Sequence, residues 1–597
     1  MKSKAWIRTA CACVATSASL LLAIDAYAVP TKVRDFGLID HQGVQHQLTR
    51  LGYNKGLVII SQANSCPENV EMLHKYKLLR TTWEPLGVKF LMLNSQDDLK
   101  SIRQMASTYD IDFPIMYDDT QLATESLNIS KAGEILVIDP KNLQLVYRGP
   151  LDKPIPRRRA EDAPEPYRPL ADSLAKIVAG EHEGAEAIVE EVTAEDCELS
   201  FPVREMHTKN IPDYSKDVAP ILKENCAGCH VEGGIGPFAM NSYEMVRGWA
   251  PMVREVVMTK RMPPAQVDPS INHFENANYL ANDETQTLIH WIDAGAPRGN
   301  SKKDPLHEVK PAETEWQLGE PDMVVDVPAF EVPATGVLDY FNHVIELDFD
   351  KDMYVRAVQF IPGDDRVLHH LLSYITSPET EDEVMSEENV RDFLEGYAPG
   401  KSDATAFPEN TGVFVPKGYN LTMQMHYTTF GKAVVDETRV GLYFHEKKPE
   451  YKFLTKPISH GGTSLVLRPH EAEHKMNYQH VFEHDTMLYA MRPHMHYRGK
   501  AFKFSAIFPD GRRETLMNVP NYNFAWQPTY RLSDPIMLPA GTRVVTDGVF
   551  DNSEYNPGNP DPNTTVRGGA QSWDEMFIGY FTYTNLEQNK DQQLTSN

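Results

Sequence analysis

Cysteine is scarce in this 597-residue chain: there are six, and Cys11 and Cys13 fall within the first 28 residues. The other four, Cys66, Cys197, Cys226 and Cys229, are too few to staple so long a chain. A disulfide scaffold is therefore excluded, and each cysteine needs its own account. Apolar runs of membrane-spanning length are also lacking. The stretch ATSASLLLAI near the start falls short of the ~20 residues that a bilayer core requires. Lys2, Lys4 and Arg8 precede it and Ala26-Tyr27-Ala28 follows it, the pattern of a cleavable secretory signal over residues 1–28. The mature protein is thus expected outside the cytoplasm, in a bacterial periplasm or secreted, with no transmembrane segment. Basic side chains are in deficit too, 58 against 84 acidic ones, for a formal charge of -26. Such a surface repels nucleic acid and excludes it as a partner.

Four segments follow the signal. Residues 29–180 alternate short apolar runs (LVIIS, VKFLMLN, ILVID) with helical stretches, the pattern of an α/β domain with buried parallel strands. The acidic stretch over 181–208 reads as a linker. Residues 209–300 are helical in pattern, with DVAPILKENC and DETQTLIHWIDAG the clearest pieces, and 301–314 form a second linker. Beyond it, short alternating runs such as YVRAVQFIP and KFSAIFPDG, separated by Pro, Gly, Asn and Asp, predict an all-β region.

CAGCH at 226–230 supplies two thiols for haem vinyl groups and an adjacent imidazole for the iron. With six Cys and 21 His, chance yields this pattern roughly 0.002 times in such a chain. A zinc site would need a second Cys/His pair nearby, and none exists. One covalently attached c-type haem on Cys226, Cys229 and His230 is the expectation. The helix before the motif resembles the opening of monohaem cytochrome c domains. That resemblance points to Met262, in KRMPPAQ, as the second axial ligand, with Met252, Met258 and His273 as competitors.

In the β region, His369-His370 and His494-Met495-His496 are weak signals singly, because chance alone gives about 0.7 of each pattern at this His frequency. Residues two apart on a strand share a face, so His494 and His496 can reach one metal. His369 and His370 can do so only if a bulge re-aims one of them. The series VLHHLLSYI, LTMQMHYTTFG, YAMRPHMHYRGK and WDEMFIGYFTY resembles, in that order, the copper type II monooxygenases, the group of peptidylglycine α-hydroxylating and dopamine β-monooxygenases. The resemblance covers about 315–597. It implies two jelly-roll domains, 315–455 and 456–597, each holding one copper across a solvent-filled cleft. By position, His369, His370 and His426 correspond to the electron-transfer copper, and His494, His496 and Met576 to the copper that binds dioxygen. Imidazole suits both copper oxidation states and a thioether favours Cu(I). Arg492 and Tyr580 occupy places that bind substrate carboxylate in the peptide enzyme, whereas its Asn position is Ile578 here. The region also lacks the disulfides of the animal enzymes.

Residues 29–180 resemble the peroxiredoxin/thioredoxin-like group. Cys66 follows the strand LVIIS and opens a helix, where the helix dipole favours a thiolate. The segment reads NSCPEN, without the second Cys of a C-x-x-C pair, and Gly133 stands at the family's cis-proline position. Two readings stay open: a regulatory or structural disulfide between Cys66 and Cys197, and an unreactive domain retained for docking.

The multidomain expectation is a copper-dependent monooxygenase acting on a small-molecule or peptide substrate with dioxygen. Catalysis is assigned to His494, His496 and Met576, with two copper ions fed by the chain's own haem and an external electron donor. The alternatives are a non-catalytic haem and copper electron relay and a peroxide- or thiol-reducing enzyme centred on Cys66.

Overall fold

A computed structural model describes residues 31–152, 168–192 and 197–587, apart from 233, 235, 265, 311–315, 381–389, 398–403, 460–464 and 570. The expected signal over 1–28 lies outside the described residues. No helix among the described residues is long and apolar enough to cross a membrane.

The chain is multidomain. Its first unit is built on a six-stranded sheet in the order Ile115–Tyr117, Val88–Asn94, Gly56–Gln62, Ile135–Asp139, Gln144–Gly149 and Ile188–Val189. The first three strands run parallel and Ile135–Asp139 runs antiparallel to Gly56–Gln62. Strand alternation sends Val58, Ile60, Phe90 and Met92 into one core and Leu57, Ile59, Leu91 and Leu93 into another. The first core packs against the helices Pro67–Trp83, Leu99–Thr108 and Pro169–Ala179. The second is continuous with Tyr214, Leu222, Leu288 and the fully buried Trp291 of the helical segment. The two units therefore share one hydrophobic core, and a second sheet face that would otherwise need its own cover is covered by the helical unit.

The described part of the acidic stretch expected as a linker is packed on the first unit. Ile188–Val189 adds a parallel edge strand to the sheet, and the buried His182 imidazole bonds the Asp139 carboxylate at 3.0 Å. Further on, Ala132 N–H donates to the Cys197 carbonyl and Leu199 N–H to the Ser130 carbonyl, both at 2.8 Å. Satisfied backbone groups and a cross-link, described below, outweigh the acidic composition that makes the stretch read as solvated.

The helical unit contains Pro202–Lys209, Ala219–Asn225, Tyr243–Met258 and Asn282–Asp293. Between its last two helices the chain leaves the bundle and docks on the final β unit. Phe274 forms a bridge with Leu532, and Asp268 N–H donates to the Asn518 carbonyl at 2.8 Å.

The rest of the chain is rich in β-strand. In the first β unit, a four-stranded antiparallel sheet (Phe341–Glu346, Asn420–Tyr427, Leu368–Thr376, Val390–Tyr397) shares a core with a sheet centred on Met353–Ile361 and Arg439–Phe444. In the second, Leu454–Ile458, Phe577–Asn585, Thr486–Met495 and Tyr530–Leu538 form one antiparallel sheet. His474–Val481, Arg543–Phe550, Gly499–Ile507 and Arg513–Val519 form the other, over a core rich in phenylalanine.

Candidate metal and haem sites

One irregular strand pairing creates the first histidine cluster. Leu368 pairs with Tyr427 and His370 with His426, so His369 and His370 together oppose a single residue, which is a β-bulge. Leu368 and Leu371 on either side both enter the core. The extra residue thus lets two adjacent imidazoles leave the core face together and meet His426. The Nδ1 atoms of His369 and His370 are 3.0 Å apart, and those of His426 and His370 are 3.4 Å apart. Two nitrogens bound ~2.0–2.1 Å from one ion at roughly tetrahedral or right angles lie about 2.9–3.4 Å apart, so the spacing fits a single metal. Among the described residues this is the group of three His, Cys, Asp or Glu side chains that could hold an ion. Burial pushes the His369 imidazole down to about 4 and that of His426 to about 3, so both are neutral and ligand-ready at pH 7.

The second cluster follows from alternation over Met491–Met495, beyond a bulge at Leu488/Ala490. Met491 and Met495 enter the core, so Arg492, His494 and His496 share the opposite face. Arg492 pairs with Tyr580, His494 with Ile578 and Met495 with Phe577. Carrying that register one step beyond the ladder brings Met576 across from His496. The two imidazole centroids are 5.2 Å apart. His494 Nδ1–H donates to Gln527 Oε1 at 2.6 Å, and Gln527 Nε2 in turn donates to the Phe524 carbonyl at 2.8 Å. His496 Nδ1–H donates to the Asp574 carbonyl at 3.3 Å. With Nδ1 held in this way, Nε2 of His494 is left as a ligand position, the usual outer-shell arrangement of metal-binding imidazoles. Glu575, fully buried and pushed up to about 8 by burial, accepts the backbone N–H groups of His496 at 2.9 Å and Arg498 at 2.7 Å. Burial also lowers His494 to about 3 and His496 to about 4.

Between the clusters stands Phe524, where a solvent-filled cleft was expected. Its ring stacks on His369 at 5.5 Å and meets His496 edge-on at 5.8 Å. Phe524 is anchored in the core of the second β unit, and its ring occupies space that water would fill. Tyr340 closes another side, 4.4 Å from the His426 ring centroid, with its hydroxyl 3.2 Å from Ser572 Oγ. Gln527, Phe524 and Tyr340 carry no sequence signature, because each acts through a contact made only after the two β units meet.

Arg492 and Tyr580 pack against each other across the strand pair. The guanidinium lies 4.1 Å from the Tyr580 ring centroid and 4.4 Å from that of Phe393.

In the helical unit, Cys226 and Cys229 are free thiols on one turn, with His230 N–H donating to the Cys226 carbonyl at 3.0 Å. Burial pushes the Cys226 thiol up to about 12. His230 Nδ1–H donates to the Phe238 carbonyl at 3.0 Å, leaving Nε2 for an iron. A Cβ on Gly236 would sit 2.7 Å from His230 Nδ1, so this close approach requires glycine. The residues present fit a covalent haem. Met262 follows the Tyr243–Met258 helix, tied by its N–H to the Val256 carbonyl at 3.0 Å. Of its competitors, Met258 is packed in the shared core, Met252 is exposed, and the His273 carbonyl accepts from Ser533 of the second β unit. The motif also faces the first β unit. The Tyr397 hydroxyl is pushed up by burial, then by Asp365, Asp436 and Cys229, and Tyr397 pairs with Leu371, next to His370.

Cys66, the residue before the Pro67–Trp83 helix, is bonded to Cys197 across 131 positions, and both are buried. Gly133 has φ +88°, and its N–H donates to the Ser61 carbonyl at 2.8 Å.

With this geometry in view, the comparisons with known proteins concern the first unit. The AhpC/TSA family model matches residues 29–146. The N-terminal unit is a thioredoxin-like domain. Among solved structures, a hypothetical protein from Sinorhizobium meliloti 1021 shares 18% identity over 28% of this chain and 93% of its own, with a TM-score of 0.24. An uncharacterized conserved protein from Geobacillus kaustophilus shares 21% identity over 28% of this chain and 89% of its own, with a TM-score of 0.23. Peroxidoxin BcpB from Mycobacterium tuberculosis shares 18% identity over 25% of this chain and 94% of its own, with a TM-score of 0.20. No curated protein matches the chain.

A copper ion offered to the His494/His496 pair should bind about tenfold more weakly in Gln527→Ala than in the parent protein, since the substitution frees the ring that the amide holds. Competition with a calibrated copper chelator checks this, and His369/His370/His426 binding should not change.

Proposed function

We propose that this chain is an exported, copper-dependent monooxygenase that hydroxylates an organic substrate with dioxygen and draws electrons through its own c-type haem. The observation that carries the proposal is the meeting of two imidazole clusters, of three and two rings, on either side of one phenyl ring. In this reading the β units are the two jelly-roll copper domains and the helical unit is a monohaem cytochrome c domain.

His369, His370 and His426 would hold one copper, His494, His496 and Met576 the other. Cys226, Cys229 and His230 would hold the haem, with Met262 as its second axial ligand. When bound, these groups supply the one-electron chemistry that dioxygen requires, which no side chain of the chain provides by itself.

The protein's own residues prepare that chemistry. Gln527 and the Asp574 carbonyl fix both imidazole tautomers, and the buried Glu575 pins the His496 backbone. Phe524 keeps water from the space between the clusters. Arg492, buried and without a carboxylate partner among the described residues, offers a fixed positive charge one strand step from His494. The Cys66–Cys197 disulfide is consistent with the oxidising compartment that export implies.

Met576→Ile tests the assignment of the oxygen site. Oxygen-dependent hydroxylation should fall at least tenfold, with one copper retained at the three-imidazole site. Undiminished hydroxylation with both coppers bound would overturn it. The second reading, a haem and copper electron relay, uses the same ligand sets and predicts no substrate-dependent oxygen uptake.

A further inference from the structure

Three segments far apart in sequence bring a carboxylate and two imidazoles into one chain of contacts outside the β units. Glu125 belongs to the thioredoxin-like unit, His207 to the helix Pro202–Lys209 and His290 to the helix Asn282–Asp293. His290 Nε2–H donates to Glu125 Oε2 at 2.9 Å. With that proton on Nε2, His290 Nδ1 carries a lone pair, and it faces His207 Nδ1 at 2.8 Å. Two lone pairs at that distance repel, so the contact needs a proton or a metal ion between the nitrogens.

The neutral arrangement, in which His207 donates its own Nδ1–H, closes the contact but leaves a net negative charge behind it. The Glu125 side chain is only 9% exposed, and its Oε1 has no hydrogen-bond partner among the described residues. A buried carboxylate in that state is costly unless a positive charge lies nearby. Both imidazoles also stand in the last turn of their helices, where the terminal carbonyls favour a cation. The spacing selects the kind of cation. Two nitrogens ~2.0–2.1 Å from one ion at a right angle lie about 2.8–3.0 Å apart, so the pair fits two adjacent corners of a tetragonal or octahedral ion. His290 is supported as metal-binding imidazoles usually are, with a carboxylate accepting from the other ring nitrogen. A cleft of 620 Å³, lined by all three residues, has room for water or an anion at the remaining positions. Four basic side chains also line it, but Arg34 and Arg254 are both paired with Asp293, at 3.1 and 2.8 Å.

We propose that His207 and His290 form a separate metal site for a divalent first-row ion of the Ni(II) or Cu(II) type, with Glu125 as its outer carboxylate. The bound ion fastens the helix that follows Cys197 to the helical unit. This site goes beyond the haem and copper chemistry proposed above and does not depend on it. Two protein donors hold an ion more weakly than three, so this ion leaves on dialysis against a chelator and is restored by adding metal.

Calorimetric titration of the dialysed full-length protein, carrying its haem and coppers, with Ni(II) tests the site. Copper binds nitrogen-donor sites more tightly than nickel, so the coppers are not displaced. The parent should take up one nickel per chain more than His207→Asn, whatever surface histidines bind besides. The Asn amide still offers an N–H to His290 Nδ1 but no imidazole lone pair, so it preserves a shared-proton contact and removes the ligand. Glu125→Gln should keep the count and weaken this binding about tenfold. With saturating nickel, the melting transition of the helical unit should rise by about 3 °C or more in the parent and stay fixed in His207→Asn. His207→Ala, on a helix with no buried residue, gives the same comparison if His207→Asn fails to retain its haem and coppers. Equal nickel uptake by parent and variant, or none by either, would overturn the inference and leave a proton as the shared cation.

Discussion

His426→Ala should leave the purified protein with one copper per chain in place of two and lower hydroxylation by about 100-fold or more. The basis is geometric. His426 sits opposite the His369-His370 bulge, and its Nδ1 is one corner of the only three-donor group found among the described residues. Two imidazoles remain after the substitution, on adjacent residues of one strand. Loss of an outer-shell partner alone commonly costs a metal site 10–100-fold, and loss of a direct ligand should cost more. The His494 cluster is held by Gln527, Asp574 and Glu575, none of which touches His426, so its copper should stay. Metal content by plasma emission spectroscopy, paired with substrate-dependent oxygen uptake, reads both effects. Two coppers in the variant would remove His426 from the ligand set.

Cys197→Ser should destabilise the N-terminal unit by about 2–5 kcal/mol, because the bond it breaks closes a very long loop. The disulfide does more than restrict the unfolded chain. It fastens residues 197–200 near the ends of the interior strands Gly56–Gln62 and Val88–Asn94, where Ser200 exchanges hydrogen bonds with Gln96 and its carbonyl also accepts from Gln121 at 3.0 Å. That segment leads directly into the Pro202–Lys209 helix, whose His207 meets His290 of the helical unit Nδ1 to Nδ1 at 2.8 Å. Thermal unfolding of the variant should show an earlier transition, and the reduced parent protein should behave alike. A melting curve identical to that of the oxidised parent would show that the cross-link carries no weight in the fold.

Much of this architecture is written locally. The runs LVIIS, VKFLMLN and ILVID are central strands because they bury apolar side chains on both faces, with polar residues few and mostly at their ends. CAGCH is legible because its three chemical groups are adjacent. His494 and His496 are legible as a pair because alternation alone puts them on one face. His369 and His370 are not, since their joint exposure depends on a bulge that only the partner strand defines. The acidic stretch misleads because composition reports solvation, whereas its docking is decided by a cysteine 131 residues away. Phe524 and Gln527 were invisible for the same reason: nothing near them in sequence tells that one ring will separate two histidine clusters. Phe524 stands where the resemblance implies a solvent-filled cleft, and no residue near it in sequence announces that.

The thioredoxin-like unit takes a different meaning from the shared core. With its one helix-opening cysteine already bonded, and one sheet face merged with the helical unit through Tyr214, Leu222 and Trp291, it serves as a platform for the CAGCH segment.

The most direct test of the whole account is the metal and haem content of the purified full-length protein. The account predicts one haem per chain, still attached after denaturation and acid–organic extraction, together with two copper ions. Haem without copper, in protein purified after copper supplementation, would contradict it.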